Sequence, residues 1–338
     1  MRPNTKIIPQ WPGIPTSVNE ALQAPTFPAP DGLSKEDNLR RLIRDAADQL
    51  CQVVDGDLNL VVRVSEPDDD IDKLLLLVNF VLASARRSFK SLHEAHRRVE
   101  EDLAAARKLQ EKLLPQALPQ PQNLRVSANF VPARTVGGDF FDFFRYKHRG
   151  LEVGILADVS GKGPAAAIYA ALVSGIVRSL VHEELKPDDM LERLNDNLFT
   201  RAPDGQFVAA TYYTWDDERL VLETCNSGLP EPLLCRDGKM QSLQVHGLPL
   251  GLFHGAEYEA MRVQCKPGDT LFFYTDGIPE AVDPEGNEFG VGRLSEIILN
   301  NSDHDAADIV NSVLRVVSNY CRCEANFDDQ TAIGMKVL

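Results

Sequence analysis

The stretch Val136-Gly137-Gly138-Asp139-Phe140-Phe141-Asp142, taken with Ala157-Asp158-Val159-Ser160-Gly161-Lys162-Gly163, decides how the rest of the chain is read. Between the two lies Leu151-Glu152-Val153-Gly154-Ile155-Leu156, an apolar, β-rich run with the character of a buried strand. Asp158 therefore falls at a strand's C-terminal end. Pro164 to Ile168 then opens a helix, with proline in the first turn, where its missing N–H costs nothing. Asp139 follows a Gly-Gly pair, in a turn where the backbone can come close to another group. Two carboxylates on glycine-rich turns at strand ends make half of a site for a hard cation, since Mg²⁺ and Mn²⁺ favour oxygen ligands. Either Asp taken alone reads as a solvated turn or cap residue. Two stretches far downstream change that balance. Thr270-Leu271-Phe272-Phe273-Tyr274-Thr275-Asp276-Gly277 is another apolar strand ending in Asp-Gly. Phe327-Asp328-Asp329-Gln330-Thr331 is an acidic turn leading into the apolar run Ala332 to Val337.

In their order and spacing these motifs resemble the metal-dependent serine/threonine phosphatases of the protein phosphatase 2C (PPM) type, in particular the bacterial sporulation and stress-response branch. The resemblance runs from about Leu109 to the C-terminus. It takes in Leu109-Gln110-Glu111-Lys112-Leu113-Leu114-Pro115, Val136 to Asp142, Asp158 to Gly163, Gly247-Leu248-Pro249-Leu250-Gly251, Tyr274 to Ala281 and Asp328 to Thr331. It implies an α+β catalytic domain, a layered α-β-β-α sandwich of two antiparallel sheets between pairs of helices. It also implies that Asp139 and Asp158 bind divalent metal, with Asp158 bridging two ions and the Val159 carbonyl assisting. Asp276 and Asp328 would complete the second ion's shell. Asp329 stands where the wider family often has Asn and is a further candidate ligand. The implied cofactors are two Mn²⁺ or Mg²⁺ ions, and the implied substrate is a phosphoprotein, a phosphorylated anti-sigma-factor antagonist. Lys162, in the loop after Asp158, is a candidate phosphate-binding residue, set against its reading as an ordinary solvated lysine. Asn226-Ser227-Gly228-Leu229-Pro230 departs from the branch, where the fourth position is often His.

The chemistry has a physical logic of its own. Phosphomonoester hydrolysis has a very high uncatalysed barrier. Two metals about 3.5–4 Å apart can acidify a water, orient it in line and neutralise the phosphoryl oxygens. Clustered aspartates repel one another when empty, and bound cations resolve that repulsion.

The chain has 338 residues and a formal net charge of -15, which argues against nucleic acid or an anionic membrane as its main partner. None of the six cysteines forms a Cys-x-x-Cys pair, so reduced thiols are expected. The seven histidines show no metal-binding spacing, and the G-x-x-x-x-G-K-[ST] phosphate loop is absent. No secretory signal is visible. The longest apolar run, Leu74 to Ala85, is too short to span a bilayer and contains Asn79. The expectation is a cytoplasmic protein without a membrane span.

Upstream of the motifs, residues 1–36 form a proline-rich tail, with Pro3, Pro9, Pro12, Pro15, Pro25, Pro28 and Pro30. Residues 37–90 resemble a HAMP module, the dimeric helix–connector–helix relay of bacterial receptors. Helical spacing runs through Leu39, Leu42, Ile43, Ala46, Ala47, Leu50 and Val53, a connector covers 57–64, and Glu66, Asp68, Asp69 and Asp70 precede a long second helix. In that helix Ile71, Val78, Ala85, Leu92, Val99, Ala106 and Leu113 recur every seventh residue, with Leu74, Val81, Ala95 and Leu109 at matching d positions. The sustained heptad predicts a coiled coil over 91–114 and a parallel homodimer through 37–114. Pro115 ends the helix, and 115–338 is the catalytic domain. There the apolar patterns predict strands at 124–131, 140–146, 151–158, 207–215, 219–224, 268–275 and 331–337, and helices at 165–182, 190–198 and 306–320. The competing reading is a non-catalytic dimeric signalling scaffold that keeps the fold; the four intact aspartates favour the enzyme.

Overall fold

The computed structural model describes residues 70–201, 205–322 and 328–338, with helical positions 37, 40, 41, 43, 44 and 47. The proline-rich tail, the connector and the acidic cluster Glu66 to Asp69 lie outside these residues. Residues up to Glu101 and residues from Asp102 onward form two compact units.

Helix α1 (Asp70–Leu113) is one uninterrupted element of 44 residues, long enough to reach about 65 Å. It stops just before Leu114-Pro115, where proline's ring excludes the α conformation from the residue ahead of it. The heptad residues Leu74, Val81, Leu92, Val99 and Leu109 are 55–66% exposed. On the same helix Arg97 pairs with Glu101 and Arg107 with Glu111, each four residues apart. The last turns of α1 belong to the unit that begins at Asp102.

That unit is a four-layered sandwich. Its elements are β1 (Leu124–Val131), β2 (Phe140–Tyr146), β3 (Leu151–Val159), α2 (Pro164–Leu180), α3 (Pro187–Phe199), β4 (Val208–Asp216), β5 (Val221–Ser227), β6 (Leu233–Arg236), β7 (Lys239–Ser242), β8 (Met261–Gln264), β9 (Thr270–Tyr274), α4 (Gly290–Asn300), α5 (Ala306–Cys321) and β10 (Gln330–Val337). One sheet runs β1-β10-β9-β6-β7 and the other β2-β3-β4-β5-β8. Every strand pairing is antiparallel. Helices α2 and α3 cover the outer face of the second sheet; α4 and α5 cover the first.

Three apolar layers follow from the two-residue period of the strands. In β3, Val153, Ile155, Ala157 and Val159 face α2 and α3, while Leu156 faces the opposite sheet. In β9, Leu271 and Phe273 enter the central layer, while Phe272 and Tyr274 pack under α4 and α5. Strands buried on both faces read as continuous apolar runs, which is why these were visible in the sequence. Across the central layer the rings of Tyr213 and Phe273 stack at 4.9 Å, joining the two sheets.

The expected strands and helices are present, with ends shifted by a few residues. Four elements have no counterpart among the expectations: β6, β7, β8 and α4. Strand β7 is mostly exposed and carries no apolar alternation. Helix α4 contains Gly290 and Gly292, which are poor helix formers, and buries only Leu294 and Ile298. Packing against α5 and the first sheet stabilises it, not its own propensity. Cys225, Cys235, Cys265 and Cys321 are buried. Among the described residues one helical stretch, Pro164–Glu183, is long and apolar enough to cross a membrane, with a mean hydropathy of 1.6. Its Ala166, Tyr169, Ala170, Val173 and Val177 are part of the protein core.

Candidate metal centre

The antiparallel register of β2 and β3 pairs Phe140 with Ala157. Continued by one residue, it sets Asp139 opposite Asp158. The other sheet delivers the remaining carboxylates. Strand β9 ends at Tyr274 and β10 starts at Gln330, so Asp276 and Asp328 lie just beyond the same end of a paired ladder. Four carboxylates distant in sequence therefore meet where one end of each sheet comes together.

Hydroxyl groups lock the two sheets to each other at this point. Thr275 and Thr331 both donate to Asp139 Oδ2, at 2.8 and 2.6 Å. Thr275 Oγ1 in turn accepts the Thr331 N–H at 3.0 Å. Asp139 itself is buried. Ser160, two residues past Asp158, accepts from Phe207 N at 2.9 Å and so fastens the loop after β3 to the start of β4.

Three glycines are required here by close approach. A Cβ on Gly137 would lie 2.3 Å from Asp329 Oδ2, one on Gly138 2.6 Å from the Val159 carbonyl oxygen, and one on Gly277 1.9 Å from the Asp329 carbonyl oxygen. The Gly-Gly turn is thus pressed between the end of β3 and the Asp328-Asp329 turn. The structure also places the other expected residues. Lys162 Nζ is 2.8 Å from Asp328 Oδ2. Asp329 points away from that pair: its Oδ1 accepts Ala133 N at 2.7 Å and its Oδ2 accepts Gly138 N at 2.5 Å.

Burial raises the affinity of Asp139, Asp158 and Asp276 for protons. Asp139 is pushed well above the usual carboxylate range, first by loss of solvent and then by Asp158 and Asp329. Asp158 is raised to about 7 by burial, with Asp276, Asp328 and Asp329 adding repulsion. Asp276 is raised to about 6, again chiefly by burial, with Glu280 and Asp328 contributing. A cluster that resists carrying its full negative charge is one that a divalent cation stabilises. Among the described residues no three acidic, His or Cys side chains stand close enough to hold one ion between them. The donor set nevertheless fits Mg²⁺ or Mn²⁺, which keep several waters and need only one or two carboxylates each.

The sign of the pH effect follows from those raised values. An unfolded Asp ionises near pH 3.9, so between about pH 4 and 7 the folded chain binds more protons than the unfolded one. Stability of the metal-free chain should then fall as pH rises through that window. Thermal unfolding in a chelator should give a lower midpoint at pH 7.5 than at pH 5.5, and Mn²⁺ should remove most of the difference. Equal midpoints with and without metal at pH 7.5 would show that the cluster does not take a cation.

Several residues that complete this arrangement carried no sequence signal of their role. Gln110, near the end of α1, donates to the Gly137 carbonyl at 2.6 Å and accepts the Gly137 N–H at 3.2 Å. Arg178 of α2 holds Asp142 at 2.7 Å and donates to the Leu113 carbonyl at 2.7 Å. Arg134 has a guanidinium nitrogen 3.8 Å from the Cβ position of Gly163, beside the Lys162 loop. Asn226 is a buried hub, donating to the carbonyls of Leu229 and Val245 at 2.8 and 3.0 Å and accepting from Thr211 at 3.0 Å. The one available hint was that Gln110 and Asn226 fall in the stretches Leu109 to Pro115 and Asn226 to Pro230 that the family resemblance singles out.

The sandwich, with its aspartates gathered at one end of both sheets, has the fold of the PP2C-type phosphatase domains. It superposes on the SiaA-PP2C domain of Pseudomonas aeruginosa with a TM-score of 0.64 at 18% identity, covering 72% of this chain and 99% of that one. For the PP2C domain of Bacillus subtilis SpoIIE with a fragment of its regulatory domain, the TM-score is 0.55 at 19% identity, covering 64% of each chain. The family model for stage II sporulation protein E (SpoIIE) matches residues 152–338, and the chain belongs to that family. Among curated relatives, Protein IcfG of Synechocystis sp. is 26% identical over 262 residues, 69% of this chain and 41% of that protein. Phosphoserine phosphatase RsbU of Bacillus subtilis is 24% identical over 221 residues, 64% of this chain and 65% of its own length. The chain thus spans between 41% and 65% of these relatives.

Proposed function

We propose that the chain is a metal-dependent serine/threonine phosphoprotein phosphatase, controlled through its N-terminal helices. The convergence of Asp139, Asp158, Asp276 and Asp328 at one end of both sheets carries this reading. Asp139, Asp158 and the Val159 carbonyl would hold one ion; Asp158 would be shared with a second, whose shell Asp276 and Asp328 would complete together with bound waters, since these three carboxylates do not stand close enough to enclose an ion by themselves. Bound there, Mn²⁺ or Mg²⁺ would lower the pKa of water and screen the charge of a phosphoryl group. The chain's own part is to fix the donors. Thr275 and Thr331 orient Asp139, and Gln110 fixes the turn that carries it. Lys162 and Arg134 place positive charge beside the loop after Asp158, where a phosphate monoester would enter a chain of net charge -15.

By likeness to the RsbU phosphoserine phosphatase the substrate class fits a phosphoserine or phosphothreonine on a regulatory protein, and the motif resemblance to the sporulation and stress-response branch makes a phosphorylated anti-sigma-factor antagonist the substrate in this reading. The reading places the chain in the cytoplasm. Hydrolysis of a phosphoserine peptide by the full chain, with Mn²⁺ and with a chelator, tests it. Metal-dependent turnover supports the enzyme; none in either condition favours the non-catalytic scaffold.

The exposed heptad stripe of α1 supports a parallel dimer through 37–114. A dimeric helix ending at Gln110 and Leu113 grips the Gly137 turn and, through Arg178, strand β2. Rotation or phase change in such a helix can be transmitted to what it abuts. Four residues inserted near Ala104-Ala105-Ala106 rotate the upstream helix by roughly 40° against the clamped end, whereas seven nearly restore its phase. Phosphatase rate should change several-fold with the first insertion and return toward the parent with the second, while both remain dimers in sedimentation. Identical rates in all three chains would make the helix a tether.

A further inference from the structure

We propose that Asp329 is a positioning residue for the Gly137-Gly138-Asp139 turn and not one of the carboxylates that face the ions. The inference rests on the metal-centre reading and divides the Asp328-Asp329 pair between two tasks. Asp329 is 7% exposed, and both of its oxygens are already engaged by backbone. Oδ1 accepts Ala133 N at 2.7 Å. Oδ2 accepts Gly138 N at 2.5 Å and, more distantly, Asp139 N at 3.4 Å. These donors lie some 190 residues away in sequence, so the carboxylate closes the turn as a tertiary clamp.

Three observations make the division more than a choice of rotamer. First, Asp328 and Asp329 are consecutive residues at the entry to β10, where successive side chains point to opposite sides. Asp328 extends toward Lys162 and is about one-third exposed at 32%, while Asp329 turns inward. Second, moving the Asp329 carboxylate to a cation would strip acceptors from buried backbone N–H groups, and orphaned buried donors are costly. Third, the surroundings are shaped to the carboxylate. Gly137 has no room for a Cβ because Asp329 Oδ2 would be 2.3 Å from it, and Gly277 packs on the other side against the Asp329 carbonyl. An amide at 329 would present an acceptor to one side of the turn only, with its NH₂ opposing an N–H on the other.

The consequence is that Asp329 acts through Asp139. It sets where the Asp139 side chain stands without touching an ion. The two roles predict opposite signs for the metal-free chain. Removing a carboxylate from a mutually repelling cluster should raise its unfolding temperature; removing the clamp should lower it.

The experiment compares Asp329→Asn with Asp158→Asn and the parent, as full chains. Metal-free thermal unfolding is measured in a chelator, and Mn²⁺ affinity and stoichiometry are measured by calorimetry at 20 °C. For Asp329→Asn the expected results are an unfolding midpoint lowered by about 5 °C and Mn²⁺ affinity weakened about 10- to 100-fold. The number of ions bound at saturation should equal the parent's. Asp158→Asn should keep or raise the metal-free midpoint and bind fewer ions. Gly137→Ala, which drives a methyl group into the same carboxylate, should reproduce the Asp329→Asn pattern. If Asp329→Asn does not fold, Asp329→Glu reads the same quantities. Loss of one ion with an unchanged or higher metal-free midpoint would make Asp329 a ligand. A lower midpoint with parental Mn²⁺ affinity would make it purely structural. Either result overturns the inference while leaving the phosphatase reading intact; a parent that binds no Mn²⁺ removes both.

Discussion

Asp158→Asn should lower Mn²⁺-dependent hydrolysis of a phosphoserine peptide by about 10³-fold or more. Polarisation of a phosphoryl group and activation of water by a cation are together worth several kcal/mol of barrier, and each 1.36 kcal/mol is tenfold in rate. Burial, with Asp276, Asp328 and Asp329 adding repulsion, raises the proton affinity of Asp158 to about 7, and in the proposed reading it is the carboxylate shared by two cations. The amide keeps the size and one oxygen but loses the charge. The fold should survive, because Asp158 closes no backbone turn of its own and removing its charge relieves repulsion. Asp276→Asn and Asp328→Asn should be milder, each raising the Mn²⁺ concentration needed for half-maximal rate, since each is assigned to one ion. The measurement is initial rate against Mn²⁺ concentration for the four chains. Parental turnover in Asp158→Asn would remove it from the bridging role.

Gly138→Ala should also be damaging, by a steric route. The new Cβ would lie 2.6 Å from the Val159 carbonyl oxygen and 3.2 Å from the Ala166 Cβ. Neither neighbour can yield. Val159 is locked in β3 and paired with Val208, and Ala166 is fully buried at the start of α2. The Gly-Gly turn must move instead, taking Asp139 away from Thr275 and Thr331. Displacements near 1 Å at a reacting centre can cost about 10²-fold in rate, and a fall of that order in kcat is expected. Gly175→Ala is the control. Gly175 is helical, with nothing within 4 Å of an added Cβ, so activity should hold and stability should rise by up to about 1 kcal/mol. Equal kcat in the two alanine variants would show that the turn has slack.

Much of this was open to a reader of the chain alone. Strands buried on both faces, such as β3, β4 and β9, are continuous apolar runs, because each face meets its own layer of core. The four aspartates could be found because each sits at the edge of such a run, Asp158 and Asp276 where one stops and Asp139 and Asp328 where one is about to start, and local chemistry, Gly-Gly before Asp139 and Gly after Asp276, marks the turns. The heptads of α1 are a property of sequence periodicity and needed no partner to be read. Elements with little burial were invisible: β7 pairs at a sheet edge and α4 is helical despite its glycines, both because neighbours supply what propensity does not.

What only the tertiary structure decided is which polar groups serve the aspartates. Asp328 and Asp329 are adjacent and chemically identical, and no local rule distinguishes them. They differ because one side of the strand entry faces Lys162 and the other faces the backbone of a turn some 190 residues earlier. Gln110, Thr275, Thr331 and Arg178 are likewise ordinary residues in their own neighbourhoods. Hydrogen bonds are short-ranged and directional, so these residues acquire a role only when the sandwich brings their partners within 3 Å. The sequence by itself determined the strands buried on both faces and the carboxylates at their edges; long-range folding determined the less buried elements and how those carboxylates are held.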